Sequence, residues 1–109
     1  VLILLDNNVP RGVGRALTSH TVQEARDRGW ATLKNGDLLN AAEDAGFQVL
    51  VTADLNIRYQ QNLRQRKIAI VVLSQLRWSL VRRHLMAIAE AVHTAQTGSF
   101  VEVEIPNNR

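Results

Sequence analysis

The sequence predicts a single three-layer α/β domain with a mainly parallel central sheet, spanning residues 1–109. Three observations predict it. Apolar runs of strand length alternate with stretches of helical period, which is the pattern of βαβ units. The runs at 48–53 and 68–73 are near-continuous in apolar residues, as expected of strands covered on both faces. A chain of 109 residues, 46% hydrophobic, has the size and composition of one globular core.

The first strand, Val1 to Leu5, runs directly into Asp6. Pro10 then stands where the first turn of a helix tolerates a missing N–H. That helix should reach about Ser19, although Gly12 and Gly14 each weaken it by roughly 1 kcal/mol relative to Ala. His20 to Glu24 reads as a short second strand, followed by a loop holding Gly29 and Trp30. Asn35 is the expected N-cap of a helix through Ala45, with Leu38, Leu39, Ala41 and Ala42 as its apolar stripe and Gly46 as its stop. Glu43 and Asp44, late in this helix, should be solvated. Residues 48–53 form the next strand. A polar, Gln-rich helix from Arg58 to Gln65 leads to the strand Ile68–Leu73. The longest helix, about Leu80 to Ala95, carries Val81, Leu85, Ile88 and Val92 on one face. Phe100 to Ile105 alternates apolar and polar, as an edge strand with one wet face does.

Composition removes several function classes. With no cysteine there is no disulfide, thiolate zinc site or cysteine nucleophile. No apolar run has the length of a bilayer span, and Val1 to Leu5 is too short and unflanked for a signal-peptide core. A cytoplasmic protein without membrane attachment is the expectation. The chain starts at Val rather than Met, so it is expected to lack at least one residue there. Charge says more through its placement than through its net of +3. No acid stands between Asp54 and Glu90, while Arg58, Arg64, Arg66, Lys67, Arg77, Arg82 and Arg83 do. Arginine suits phosphate because its planar fork donates two hydrogen bonds at once. The interval therefore points to nucleic acid, with a solvated face or an acidic partner protein as the plainer readings.

Chemistry centres on Asp6 and Asp54, each at the end of an apolar strand and each followed by turn-prone polar residues. Ligands of open parallel sheets bind beyond the carboxyl ends of the strands. Two carboxylates delivered there would form an acidic floor suited to a hard divalent cation. An acid in such a place can also simply cap a turn or helix. Asp37 is a third candidate, in the first turn of its helix, where the helix dipole favours an acid in any case. Gly12-Val13-Gly14 is too little of a dinucleotide fingerprint. His20, His84 and His93 lack metal-ligand spacing, and Ser19 and Ser74 have no triad partners. Trp30 and Trp78 are expected in the core or at a dimer interface, Trp30 more at an interface.

The stretches Leu4-Leu5-Asp6-Asn7-Asn8-Val9-Pro10, Leu33-Lys34-Asn35-Gly36-Asp37-Leu38-Leu39 and Val51-Thr52-Ala53-Asp54-Leu55-Asn56 together resemble a short PIN-like family, over most of the chain. The resemblance implies a metal-dependent ribonuclease related to toxin ribonucleases of the VapC-like kind, with Mg²⁺ or Mn²⁺ as cofactor. It implies Asp6, Asp54 and Asp37 as catalytic and metal-binding acids. Asn7, Asn8, Asn35 and Asn56 would support them, orienting water or phosphate oxygens. Arg11, Arg15 and Arg58 would grip single-stranded or structured RNA, and Tyr59 would stack a base, although a surface charge and a partly buried ring are the preferred readings of Arg15 and Tyr59. An antitoxin protein is the implied partner, and a second copy of the chain is the partner a tryptophan interface would take. The chain departs from the family's pattern at Asn7, Asn35 and Asn56, where acids are usual, so any cation would be held by fewer charges. A PIN-like domain that binds RNA or a partner without cutting is thus an alternative. A third is a phosphoacceptor receiver domain, with Asp6 and Asp54 at compatible spacing and Ser74 ending the next strand. No Lys follows the last strand to balance a phosphoryl group there.

Overall fold

The computed structural model of the chain describes residues 1–54, 57 and 66–107. The expected Arg58–Gln65 helix, together with Asn56, Arg58 and Tyr59, lies outside the described residues. Five strands form one sheet: β1 (Leu2–Leu5), β2 (Thr21–Glu24), β3 (Val49–Thr52), β4 (Ala69–Leu73) and β5 (Phe100–Val103). Their order is β2-β1-β3-β4-β5, and every neighbouring pair is parallel. The described strands thus form an all-parallel sheet. Helices α1 (Arg11–Arg15), α2 (Asn35–Asp44), α3 (Trp78–Val81) and α4 (Leu85–Thr94) accompany it, with 3₁₀ turns at Ala25–Arg28 and Arg82–His84.

Strand residues alternate between two apolar layers, as the two-residue period of a strand requires. Ile3, Leu5, Val49, Val51, Val71 and Leu73 pack under α1, α3 and α4 through Val13, Val81, Ile88 and Val92. Leu4, Leu50, Ile70 and Val72 pack under α2 through Leu38, Leu39 and Ala42. The chain leaves β1 for β2 through α1, then comes back past β1 to β3 through α2. Parallel crossovers keep one hand, so this reversal puts the two connections on opposite faces. Every residue of β3 and β4 is buried, whereas β5 exposes Val101 and Glu102 and buries Val103. Among the described residues no helix is long and apolar enough to cross a membrane.

Four local expectations are corrected. Helix α1 stops at Arg15 instead of reaching Ser19. Two of its five residues are glycine, which is a poor basis for a longer helix. Their value lies in close approach: a Cβ at Gly14 would stand 3.2 Å from Val22 Cγ1 and 3.3 Å from Leu5 Cδ1. Asn35 is the first residue of α2, and Lys34, in extended conformation, is the boundary residue, with no side-chain cap. Gly46 does end this helix, at φ 88°. Its N–H donates to Glu43 O at 3.0 Å and that of Phe47 to Ala42 O at 2.9 Å, satisfying carbonyls the helix would leave open. The long C-terminal helix starts earlier than expected, at Trp78, and is interrupted over Arg82–His84. The interruption falls on clustered bases with no carboxylate within four residues to offset them.

Glu43 is the fourth correction. It is not solvated but holds the entry to β4. Arg66 donates to Oε1 at 2.7 Å, and the N–H groups of Lys67 and Ile68 donate to Oε2 at 2.6 and 3.3 Å. Arg66 also donates to Asn40 Oδ1 at 2.6 Å. Burial alone would raise the pKa of Glu43, but these donors outweigh it and hold the carboxyl below its ordinary value. Arg66 is therefore a structural cation within the acid-free interval. Trp30, for its part, packs edge-on against Phe47 at 6.0 Å with the Arg28 guanidinium 4.8 Å from its ring centre.

Candidate functional site at the strand exits

The strand order reverses between β1 and β3, and in open parallel sheets that switch point opens the ligand crevice. Asp6 and Asp54 leave the sheet there. The register pairs Leu5 with Val51, so Asp6 comes opposite Thr52 one step on. The Asp6 N–H still donates to Val51 O at 2.9 Å, which extends the ladder and fixes the acid against the sheet. By strand alternation Asp6 shares the side of Leu4, and Thr52 that of Leu50, toward α2.

Thr52 joins the two acids. It is 1% exposed, the one buried polar residue among the described residues. Its hydroxyl donates to Asp6 Oδ2 at 2.7 Å and accepts the Asp54 N–H at 3.2 Å. The other Asp6 oxygen accepts the Asn7 N–H at 2.7 Å. Each carboxylate oxygen keeps a further lone pair, so this scaffold orients Asp6 without exhausting it. Sequence reasoning missed Thr52 as a functional residue, although a lone hydroxyl in the run Val-Leu-Val-Thr just before an acid is a readable signal.

Asp6, Asn8 and Asp54 line two cavities together. One, of about 240 Å³, also includes Val9, Thr52, Ala53 and Leu76. The other, of about 320 Å³, includes Asn7, Ala31, Leu33 and Lys34. Asn7 is pinned by its amide nitrogen, which donates to Ala31 O at 3.1 Å and Trp30 O at 3.5 Å. That orientation leaves its Oδ1 buried with no hydrogen-bond partner. The second cavity thus gathers two carboxylates with the polar side chains of Asn7 and Asn8, and oxygen donors are the kind a hard cation prefers.

Other expected members stand elsewhere. Asp37 is exposed in the first turn of α2 and lines neither acid cavity. Lys34, one turn earlier, does line one and was not singled out from the sequence. Asn35 opens α2. Arg11 pairs with Glu24 at 3.1 Å, and with Arg15 it lines a separate cavity of about 620 Å³ beside β2. Among the described residues no three His, Cys, Asp or Glu groups gather as a metal site would require. Ser74 is tied to the chain beyond β5: its Oγ accepts the Ile105 N–H at 2.7 Å and donates to Ile105 O at 3.3 Å. A scan of protein-family models and searches of curated proteins and of solved structures found no match to this chain.

Proposed function

We propose that this chain is a PIN-like, Mg²⁺- or Mn²⁺-dependent ribonuclease acting on RNA in the cytoplasm as the toxin half of a toxin–antitoxin pair. The observation that carries the reading is that Asp6 and Asp54 line the same two cavities at the switch point, held in register by Thr52. Asp6 and Asp54 would hold the cation, with Asn7 as a supporting polar residue of the second cavity. When bound, such an ion neutralises phosphate charge and acidifies a water molecule for attack. Asn7 and Thr52 fix the Asp6 carboxylate so that it meets its ligand without reorientation, the role outer partners play around metal sites. Lys34, at the rim, supplies a positive charge for a phosphate. Two carboxylates leave most of a Mg²⁺ shell to water and substrate, as is common where phosphates complete the coordination.

The alternative, an RNA- or protein-binding domain that does not cut, is favoured by the lack of a three-acid cluster among the described residues. The receiver reading gains from strand order, since β2-β1-β3-β4-β5 is also the order of receiver domains. It loses because the Ser74 hydroxyl is engaged by Ile105 and because Glu104-Ile105-Pro106 follows β5 without a lysine.

The deciding experiment is a calorimetric Mn²⁺ titration paired with cleavage of single-stranded RNA, using wild type, Asp6→Asn and Asp54→Asn. Metal uptake and cleavage in the wild type, both lost in the two variants, are expected. Absence of both in the wild type would sink the nuclease and leave the binding domain.

A further inference from the structure

Trp78 is 41% exposed at the start of α3, although indole is among the groups that folding most strongly buries. Its place is not accidental. The benzo edge of the ring sits on Gly12 of α1, so closely that a Cβ there would come within 2.6 Å of Trp78 Cζ2. Glycine at that position lets the indole lie on the helix backbone. The chain on either side leads straight back to the acid cavity lined by Val9 and Leu76. Gly12 is three residues beyond Val9 and Trp78 two beyond Leu76, which limits the separation to about 11 Å of chain.

Arginines flank Trp78 along the chain. Arg77 precedes it, and Arg82 stands four residues on, the spacing of one helical face. Arg83 adjoins Arg82, and Arg15 stands three residues from Gly12 on α1. All four arginines are exposed. None of the four guanidinium groups has an ion pair or hydrogen bond among the described residues, unlike Arg11, Arg26 and Arg66. No acid lies between Asp54 and Glu90, the interval that holds Arg77, Arg82 and Arg83, whereas Arg15 lines its cavity with Glu24 and Asp27.

We propose that Trp78, with Arg15, Arg77, Arg82 and Arg83, forms a platform that grips single-stranded nucleic acid beside the Asp6–Asp54 cavity. An exposed aromatic ring stacks any base, and unpaired guanidinium groups follow the backbone phosphates. An acidic protein would use the charges but gains little specific from the ring. The inference deepens the ribonuclease reading by naming where the strand is held, and rests on it for the identity of the strand. Tyr59, the stacking residue expected from the sequence, lies outside the described residues.

The test is fluorescence anisotropy of a labelled single-stranded RNA of mixed sequence, in EDTA so that nothing is cut. Trp78→Leu should weaken binding by about tenfold or more, while Trp78→Phe, which keeps a ring, should weaken it much less. Arg77→Gln and Arg82→Gln should each reduce the log–log salt slope by about 0.7. Thermal melts of all variants separate these effects from unfolding. Unchanged affinity in folded Trp78→Leu overturns the proposal. So does polyglutamate that binds as tightly as RNA and displaces it, which would assign the surface to an acidic protein. Trp78-dependent binding stands even if wild type with Mn²⁺ leaves RNA uncut, an outcome that removes the nuclease alone.

Discussion

Two carboxylates hold opposite ends of this sheet, and they are built differently. Glu43 lies where the chain enters β4 and receives a guanidinium and two backbone N–H groups. Asp6 lies where the chain leaves β1 and receives one backbone N–H and one hydroxyl, both neutral. The first site contains its own counter-charge and is closed. The second is oriented by its neighbours, with no ion pair to Asp6 among the described residues. A carboxylate fixed in this way but not neutralised remains available to a cation from outside. The closed acid and the open one thus differ in the charge of their donors more than in the number of hydrogen bonds.

That contrast can be broken by experiment, and the largest effect should come at Asp6. Asp6→Asn keeps the shape and removes the charge, so metal-dependent cleavage should fall by about 100-fold or more, the worth of several kcal/mol. Its denaturant midpoint should move little, because the amide oxygen can still accept the Asn7 N–H while the Thr52 hydroxyl turns to accept from the new amide N–H. A cleavage rate unchanged from wild type would refute the assignment.

Glu43→Gln should do the reverse. It leaves Arg66 without its carboxylate and should cost about 1–2 kcal/mol in urea unfolding, with Mn²⁺ binding unaltered. Its pH dependence sharpens the point. A carboxyl held below its ordinary pKa in the folded state stabilises the fold above that ordinary value, and the contribution is lost as pH falls through the folded value. Acid unfolding curves of wild type and Glu43→Gln should therefore converge as pH drops. Parallel curves throughout would mean that Glu43 contributes nothing through its charge.

Thr52→Val is the finest probe, because it preserves volume and removes the hydroxyl linking Asp6 to Asp54. Outer partners of metal ligands are typically worth 10–100-fold in affinity or rate, and a loss of about tenfold is expected here. The accompanying loss of stability should be about 1–2 kcal/mol, since Asp6 Oδ2 and the Asp54 N–H both lose a partner. Thr52→Ser should restore most of the activity. A rate in Thr52→Val equal to wild type would reduce Thr52 to a packing residue.

The sequence by itself determined the strands and the two acids at their ends. Apolar runs such as Val49–Thr52 and Ala69–Leu73 are legible because both faces of a central parallel strand are covered, and an acid placed just beyond such a run has nowhere to go but the rim. The stop at Gly46 was legible for a similar local reason, a left-handed residue closing a helix. What is set by partners distant in sequence was not. Glu43 reads as one more solvated acid until Arg66 and the entry to β4 are brought against it. Gly12 and Gly14 read as helix breakers until Trp78, Val22 and Leu5 approach them. Arg11 reads as a phosphate ligand until Glu24, on the neighbouring strand, takes it. Asp37, two residues into a helix, could not be assigned a direction from its spacing, and the fold leaves it in solvent. Only the tertiary structure decided that β1 and β3 are neighbours, since strand order depends on which crossover passes which face. That single adjacency brings Asp6, Thr52 and Asp54 together and gives the chain its candidate site.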